Sequence, residues 1–437
     1  MRTASVRRFL LPVVTLLLAL IAPRLRPSAA QTLAPILVLG PLVQMDATGG
    51  LRIVWWTDRP GRAEVQLGVD GATTVAAESW ERWAEAPSPL DHFWQHVAPL
   101  PSLPAGTAVP YRLLMDGQAL PAGPFTLRVP PDRPPLRLAI VGDYGSGLPA
   151  EQAVRDLIAA QQPDLILTTG DNAYPRGRYE EFHRYVFAVY GDLMAQVPFM
   201  PAIGNHDDIT GHATPYRELF VLPENGWRPE ERERYYSFDV ANAHVVVLDS
   251  TDGLAAISDA AEDDMADWLA ADLAATDKPW RIILFHHPPY SAGVHGSHSL
   301  ARQRLTPVLE AGGVQWVFNG HEHDYQRTCP IRQERCVEPG AGITYVITGG
   351  GGAGLRPTGQ DWFTRRALSV HHAAFLTLDD CLARLTVRDQ EGQVVDQNVV
   401  LRCPLDYRFY LPWVSQAAVQ IREVQQQVRD CLLSLFS

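Results

Sequence analysis

Lysine is almost absent from this chain of 437 residues, in which it occurs once, as Lys278. A phosphate-binding loop of the Gly-Lys-Ser/Thr type requires a lysine, and the glycine-rich stretch at residues 349–354 is not followed by one. Catalysis through a lysine Schiff base is effectively excluded for the same reason. Neither Ser146 nor Ser297 has the Gly-x-Ser-x-Gly context of a nucleophile elbow, so the sequence does not indicate a serine hydrolase.

Neither sign of charge forms a block anywhere in the chain. Asp and Glu number 49 against 37 Lys and Arg, which gives a net charge of −12 at pH 7. Proteins that bind nucleic acids usually carry a basic surface, so nucleic acid is not expected as a partner. A hydrophobic content of 46% is ordinary for a globular protein, and the length allows two domains.

Long hydrophobic runs are lacking as well, and the run at residues 9–22 is too short for a comfortable membrane span. Arginines precede this run, and small residues at 28–30 offer a cleavage site. The segment 1–30 is therefore predicted to be a secretory signal, which predicts a secreted or extracytoplasmic protein at the cell surface or in the periplasm. Arg24 and Arg26 interrupt the pattern, so an uncleaved anchor remains an alternative.

Cysteine is also scarce, with five residues in the whole chain. Export would make disulfides possible, and Cys329/Cys336 and Cys381/Cys403 are candidate pairs. The spacing does not fix the connectivity, and this pairing leaves Cys431 over.

The spacing of hydrophobic residues along the chain predicts two domains and a C-terminal tail. Residues 31–133 contain short stretches with two-residue alternation between Gly and Pro turns, which favours a β-sandwich. A proline-rich linker follows, and residues 134–403 alternate apolar strands with helical patterns, which is typical of an α/β domain. The tail, 404–437, is predicted to be helical. It either packs on the body of the protein or mediates association with the cell surface.

Five apolar runs in the α/β region end in polar side chains that can bind metal ions. The runs cover residues 136–141, 165–169, 199–203, 281–285 and 314–318. They are followed by Asp143, by Asp171 and Tyr174, by Asn205, His206 and Asp207, by His286 and His287, and by His321 and His323. Strands of an open α/β sheet present their carboxyl ends to one crevice, so we expect these side chains to meet there.

The chemistry of these side chains indicates a metal centre. They are carboxylates, a phenol, an amide and imidazoles, without a thiolate. Such hard oxygen and nitrogen donors fit two transition-metal ions, and one carboxylate can bridge them. His321 and His323 lie two residues apart where a strand turns into a loop, so each can reach a different metal.

In this order, the motifs resemble the five sequence blocks of the calcineurin-like metallophosphoesterases. Many members have Asp-x-His in the first block, where this chain has Asp143-Tyr144-Gly145, and the second block here adds Tyr174. These two departures resemble the purple acid phosphatases, in which tyrosine replaces that histidine as a ligand. The resemblance covers about residues 136–400. It implies an α/β fold, a four-layer α-β-β-α sandwich, preceded by a fibronectin type III-like β-sandwich domain.

The resemblance also implies the ligand set. Asp143, Tyr174 and His323 would bind the first metal, taken to be Fe(III). The second, divalent metal (Fe, Zn or Mn) would take Asn205, His286 and His321, with Asp171 bridging the two ions. The family pattern places proline two residues and an aromatic residue four residues after the ligand, and Pro288 and Tyr290 therefore favour His286 over His287.

The function implied by the resemblance is hydrolysis of a small phosphomonoester by a metal-bound hydroxide. His206 and His295 resemble the substrate-binding histidines of the family, and His295 is the better candidate to protonate the leaving group. His298 is a third candidate, against the alternative of a solvent-facing loop residue. A phosphodiesterase or nucleotidase on the same scaffold and a surface-binding protein with a vestigial metal site remain alternatives.

Overall fold

The computed structural model describes residues 35–83, 92–251 and 264–402. The predicted signal segment, 1–30, and the predicted tail, 404–437, lie outside the described residues. The described residues belong to one compact unit. Among them, no helix combines the length and the apolar character that crossing a membrane requires.

The first region is built from two antiparallel sheets. Its strands are β1 Leu37–Met45, β2 Leu51–Thr57, β3 Ala63–Leu67, β4 Thr73–Ala76, β5 Glu78–Trp83, β6 His92–Pro99, β7 Ala108–Met115, β8 Gln118–Ala119 and β9 Phe125–Arg128. One sheet has the order β1-β2-β6-β5, and the other has the order β4-β3-β7-β8 with β9 paired to β7. This is a β-sandwich, and its fibronectin type III-like character stays a prediction.

Alternation along the first sheet gives it two buried faces. Ile53 and Trp55 on β2 face the core of the sandwich, whereas Val54 and Trp56 join the large core of the following region. Polar contacts join the two regions from both sheets, since Gln95 on β6 donates to the carbonyl of Glu218 at 2.8 Å and the Tyr111 hydroxyl on β7 donates to the carbonyl of Ala195 at 2.7 Å. The sandwich therefore packs directly on the region that carries the predicted motifs.

The second region is a mixed α/β structure. Its elements are β10 Leu136–Val141, α1 Pro149–Gln161, β11 Leu165–Thr168, α2 Tyr179–Glu181, a π-helical turn Phe182–Phe187, α3 Ala188–Met194, β12 Phe199–Met200, α4 Asn205–Asp208, α5 Thr214–Leu219, a 3₁₀ turn Pro229–Glu231, β13 Tyr236–Val240, β14 Ala243–Val247, α6 Asp264–Ala275, β15 Trp280–Leu284, α7 Ser299–Ala311, β16 Trp316–Asn319, β17 Tyr325–Thr328, β18 Ile331–Arg332, β19 Arg335–Cys336, β20 Thr344–Thr348, β21 Thr364–Leu368, β22 His372–Leu378, β23 Leu382–Asp389 and β24 Val394–Leu401.

These strands form two large mixed sheets. The six-stranded sheet has the order β12-β11-β10-β22-β23-β24, and the seven-stranded sheet has the order β13-β14-β15-β16-β20-β17-β21. Strands β10, β11 and β12 are parallel, as are β14, β15, β16 and β20. Their apolar sequences are buried on both faces, as expected for parallel strands covered on both sides.

Side-chain alternation in the seven-stranded sheet separates two cores. Ile282 and Leu284 on β15 join the core shared with the six-stranded sheet. Ile283, on the opposite face, packs in a second core with α6 and α7, for example with Leu269 and Leu305. Helix α1 contributes to the shared core on the other side. The layers therefore run helix, sheet, sheet, helix, and the ends of both sheets meet in one crevice.

A disulfide joins Cys329 and Cys336, one of the two candidate pairs. Cys381 is also disulfide-bonded. Its predicted partner, Cys403, lies outside the described residues, so that pairing stays a prediction.

Candidate metal centre

All of the predicted ligand side chains follow strands of the two sheets. Asp143 follows β10, Asp171 and Tyr174 follow β11, Asn205 begins α4 after β12, His286 follows β15, and His321 and His323 follow β16. Because β10 and β11 are parallel, as are β15 and β16, each pair of neighbouring strands directs its polar ends to the same edge. The structure brings these side chains together at that crevice.

The backbone is strained where it presents several of these groups. Asp143, Asp171 and His321 adopt φ angles of 56°, 51° and 70°, which non-glycine residues seldom adopt. Such left-handed residues persist only where surrounding structure holds them, and they concentrate at functional sites.

The glycine of the first block, where many relatives carry histidine, has a steric explanation. A Cβ atom at Gly145 would lie 1.8 Å from the backbone oxygen of Asn172. This is far inside contact distance, so a histidine at position 145 would displace the loop that carries Asp171 and Tyr174. Gly145 therefore allows the two loops to approach closely.

Three side chains form what we call the carboxylate cluster: Asp143, Tyr174 and His323. The Tyr174 hydroxyl lies 3.1 Å from Asp143 Oδ1 and 3.2 Å from His323 Nε2. The same hydroxyl lies 2.9 Å from Asp171 Oδ2. Burial, together with the carboxylates of Asp143 and Asp171, raises the pKa of Tyr174 well above its ordinary value. A tyrosinate at this position therefore requires a cation.

The contacts of His323 fit a metal ligand. Its Nδ1 donates to the carbonyl of Gly354 at 2.8 Å, which leaves Nε2 with a lone pair. Nε2 lies 3.4 Å from Oδ1 of Asp143, whose side chain is fully buried. Two electron-rich atoms at this separation attract each other only through a proton or a cation between them. The donor set of the carboxylate cluster therefore fits a metal ion.

Three further side chains form the imidazole cluster: Asn205, His286 and His321. The amide oxygen of Asn205 lies 3.0 Å from His286 Nε2 and 3.0 Å from His321 Nδ1. His286 donates from Nδ1 to the carbonyl of Thr169 at 2.9 Å, and its Nε2 faces the cluster. Burial would lower the pKa of His286, but the carboxylate of Asp171 outweighs burial and raises the pKa to about 9, so a metal ion would take the place of the proton on Nε2. The donor atoms of the imidazole cluster therefore also fit a metal ion.

Asp171 lies between the two clusters. Its Oδ2 accepts from Tyr174, whereas its Oδ1 lies 3.4 Å from His286 Nε2 and accepts the backbone N–H of His206. Burial alone would raise the pKa of Asp171, but the charge and hydrogen bond of His286 outweigh it and lower the pKa. The two oxygens of Asp171 thus face different clusters, as a bridging carboxylate requires.

His287 stands beside the imidazole cluster rather than within it. Its Nδ1 lies 2.9 Å from the hydroxyl of Ser250, and burial lowers its pKa to about 3. The ligand atoms of His286, His287 and His321 nevertheless lie within 4.8 Å of one another, so proximity alone does not separate the candidates. The contacts of His286 with Asp171 and Asn205 favour it as the ligand.

The predicted substrate-binding histidines occupy different positions. His206 packs against the Tyr174 ring, with centroids 4.5 Å apart, and its Nδ1 contacts the carbonyl of Pro175 at 2.7 Å. The His295 ring lies over His321 at 4.3 Å, and 39% of its side chain is exposed. His298 is the N-cap of α7, where its Nδ1 accepts the N–H of Ala301 at 3.1 Å. Contact of each with substrate stays a prediction.

Two residues beside His295 had no role in the sequence analysis. Glu322 is fully buried and accepts the backbone N–H groups of Val294, His295 and Gly296 at 3.1, 2.7 and 3.0 Å. Arg356 Nη1 lies 3.1 Å from His295 Nδ1. The position of Glu322 between two candidate ligands was the only feature of the sequence that could have indicated a role for it. No pattern in the sequence indicated a role for Arg356.

A third supporting residue joins the second and third motif blocks. The buried carboxylate of Asp207 accepts the backbone N–H groups of Asn172, Ala173 and Gly204 at 3.0, 3.1 and 2.9 Å. Burial and the neighbouring carboxylate of Asp171 raise the pKa of Asp207 to about 7. Asp207 therefore holds the loops of Asp171 and Asn205 together without contacting the clusters itself.

Comparison with known proteins gives a consistent family. Residues 136–325 match the family model of the calcineurin-like phosphoesterases. Purple acid phosphatase 21 of Arabidopsis thaliana is 31% identical over 245 residues, which are 52% of this chain and 52% of that protein. Purple acid phosphatase 18 of the same plant is 28% identical over 297 residues, which are 63% and 64% of the two chains. The chain thus spans between half and two thirds of these relatives.

A solved structure shares the fold. A purple acid phosphatase from yellow lupin (Lupinus luteus) seeds superposes with a TM-score of 0.71 over 83% of this chain and 74% of that chain, at 19% identity. Another relative, described as a probable inactive purple acid phosphatase of Arabidopsis thaliana, is 26% identical over 230 residues, 47% of this chain and 36% of that protein. Similarity alone therefore does not establish activity, and the donor geometry is the more direct argument.

Proposed function

We propose that this chain, which is a purple acid phosphatase-like metallophosphoesterase, hydrolyses phosphomonoesters at the crevice between its two sheets. One observation carries the proposal: the Tyr174 hydroxyl meets Asp143, Asp171 and His323 within 3.2 Å, in a buried site that a cation would complete. A vestigial site would not need to keep every donor of both clusters in place.

Two metal ions are part of this proposal. The carboxylate cluster would hold Fe(III), because a phenolate is a hard, charged donor. The imidazole cluster would hold a divalent Fe, Zn or Mn ion, with Asp171 shared. When bound, these ions would neutralise charge on the phosphoryl oxygens and supply a water molecule of lowered pKa.

The side chains around the clusters bind the substrate and move protons. His206, fixed by its contacts with Pro175 and the Tyr174 ring, donates a hydrogen bond to a phosphoryl oxygen from Nε2 in its protonated form. His295, at the solvent-facing side of His321, protonates the leaving oxygen. His298 contributes to substrate binding only through Nε2, because Nδ1 caps α7.

The remaining finer features also belong to the proposal. Export through the segment 1–30 places the enzyme outside the cytoplasm, and association with the cell surface is the alternative role of the tail 404–437. The sandwich, 31–133, is a fibronectin type III-like domain that supports the catalytic domain, 134–403. Phosphodiesters and nucleotides are the alternative substrates on the same scaffold, since the walls of the pocket decide that choice.

The test combines metal analysis, the visible spectrum and assays with 4-nitrophenyl phosphate. Protein loaded with iron and zinc or manganese is expected to be purple or pink and active. Tyr174→Phe should lose the colour and bind iron at least about tenfold more weakly, because the phenolate is removed. Tyr185→Phe, in the π-helical turn, is the matched control and should keep both properties.

Two results would contradict the proposal in different ways. A metal-loaded protein that hydrolyses no phosphoester would favour the vestigial site. A colourless, fully active zinc-only or manganese-only enzyme would refute the assignment of Fe(III) while preserving the hydrolase.

A further inference from the structure

The glycine-rich segment 349–359 forms one wall of the metal centre. The backbone N–H of Ala353 donates to the carbonyl of Asp143 at 2.9 Å, and the carbonyl of Gly354 accepts from His323. At the far end of the segment, the N–H of Gly359 donates to the carbonyl of Ala292 at 2.9 Å. The segment is therefore fixed to both sides of the crevice.

Arg356 projects from this wall towards His295. Its backbone N–H donates to the carbonyl of His323 at 3.0 Å, and its Nη1 donates to the carbonyl of His321 at 3.0 Å. The same Nη1 lies 3.1 Å from Nδ1 and 3.3 Å from Nε2 of His295. Leu355 is 37% exposed and Val294 is 62% exposed, so this contact lies at the solvent-facing rim.

The charge of Arg356 is not compensated by a carboxylate of the described residues, as the charges of Arg234 and Arg327 are. Arg234 pairs with Asp249 at 2.7 Å, and Arg327 pairs with Asp396 at 2.6 Å. Within the described ranges, no carboxylate forms an ion pair with Arg356, whose recorded side-chain partners are a carbonyl and an imidazole.

Glu322 does not supply the missing partner. It contacts the ring of His295 at 3.3 Å, but its oxygens already accept the backbone N–H groups of residues 294–296. A half-buried guanidinium without a carboxylate is suited to bind an anion from solution, because its planar donors match phosphate oxygens.

We propose that Arg356 binds a second phosphoryl group on the leaving-group side of the substrate, so that the site prefers condensed phosphates to monoesters with neutral leaving groups. The proposal rests on the proposed function, in which His295 marks the side from which the leaving group departs. Because Arg356 contacts His295 and not His206, its guanidinium meets the leaving group rather than the transferred phosphoryl group.

For inorganic pyrophosphate the reaction is a simple hydrolysis. Water adds its oxygen to one phosphorus atom, and the bond from that atom to the bridging oxygen breaks. The electron pair stays on the bridging oxygen, which takes a proton from His295 and leaves as part of orthophosphate. One proton of the water remains on the newly bound oxygen, the other restores the proton of His295, and the products are two orthophosphates. Arg356 holds the departing phosphate while its negative charge grows.

The experiment compares pyrophosphate with 4-nitrophenyl phosphate in the metal-loaded enzyme. Arg356→Gln should lower kcat/KM for pyrophosphate about tenfold more than kcat/KM for 4-nitrophenyl phosphate, since only pyrophosphate loses a hydrogen bond between two charged groups. Arg356→Lys should restore part of the pyrophosphate activity. Arg365→Gln, exposed on β21, is the matched control for loss of one positive charge.

A binding measurement separates this proposal from the proposed function. Calorimetry with methylenebisphosphonate, which cannot be cleaved at the bridge, should show weaker binding in Arg356→Gln, with orthophosphate unaffected. If the wild type cleaves no phosphoester but binds methylenebisphosphonate more tightly than Arg356→Gln does, Arg356 is an anion-binding residue and the proposed hydrolase function is wrong. Equal losses on both substrates at unchanged metal content, or no loss on either, overturn the role of Arg356.

Discussion

The carboxylate cluster and the imidazole cluster share Asp171 but differ in the charge of their other donors. The carboxylate cluster contributes a carboxylate and a phenol beside one imidazole, and Tyr174 Oη lies 3.1 Å from Asp143. The imidazole cluster contributes an amide and two imidazoles, none of them an anionic donor, joined at 3.0 Å through Asn205. One crevice can therefore offer two metal ions of different charge a separate set of donors each.

The two sides also differ in the buried glutamate that supports each. Glu322 supports the loop of His295 beside the imidazole cluster, where it accepts three backbone N–H groups. Glu151, on α1, supports the loop after Asp143 and accepts the N–H groups of Ser146 and Gly147 through Oε2. Its Oε1 has no hydrogen-bond partner in the part of the chain that the structure describes. Both carboxylate oxygens of Glu322 therefore accept hydrogen bonds, whereas only one oxygen of Glu151 does so within the described residues.

Asp171→Asn should have the largest effect, because Asp171 faces both clusters and its replacement disturbs metal binding at each of them. Asparagine keeps one oxygen, so it cannot accept from Tyr174 and also face His286 with a second oxygen. We expect hydrolysis of 4-nitrophenyl phosphate to fall by about 10³-fold or more, with loss of bound metal, since each ion contributes several kcal/mol. Asp156→Asn, on the exposed face of α1, is the matched control. Retention of two ions and normal turnover would exclude a bridging role.

Glu322→Gln should affect mainly the side of the imidazole cluster. The new amide NH₂ would face backbone N–H groups, and a buried donor without an acceptor costs about 1 to 3 kcal/mol. We expect the loop to shift His295, so that kcat falls about tenfold. The loss should be larger for alkyl than for nitrophenyl esters, because a poor leaving group depends more on protonation.

The control for Glu322→Gln is Ser291→Ala, which removes one donor to Glu322 at 3.3 Å and leaves the carboxylate intact. Metal content and melting temperature should be measured for both variants. Equal losses on alkyl and nitrophenyl esters would show that Glu322 does not act through His295.

The sequence could predict that the candidate side chains meet, because each follows a local pattern, whereas their assignment as ligands came from the family resemblance and stays a prediction. An apolar run, a glycine and a polar residue identify the end of a strand, and strand β10 spans Leu136–Val141, as its run indicates. The wide spacing of the five blocks did not matter, because parallel strands present their carboxyl ends to one edge.

The sequence could not predict contacts between loops. Glu322 and His295 are 27 residues apart, and Arg356 and His295 are 61 residues apart, so only the folded loops make their relation visible. His298 shows the converse, since its place before Ser299 makes it a helix cap as well as a candidate substrate residue. The steric reason for Gly145 likewise depends on a second loop, through the carbonyl of Asn172.

Glu151→Gln should have the smallest effect, and it should act on stability rather than on turnover. Burial raises the pKa of Glu151 to about 8 from an ordinary value of 4.5, although the N–H groups of Gly147 and Ser146 act against this. Between these two pH values the folded protein holds a proton that the unfolded chain has lost, so the contribution of Glu151 to the free energy of unfolding falls as pH rises. Glutamine can accept both N–H groups without titrating. The free energy of unfolding of the variant, measured with urea, should therefore equal that of the wild type near pH 4.5 and exceed it by about 1 to 3 kcal/mol near pH 8. An advantage that is the same at both pH values would show that the proton of Glu151 is not responsible, and a loss of turnover would show that its charge supports the carboxylate cluster.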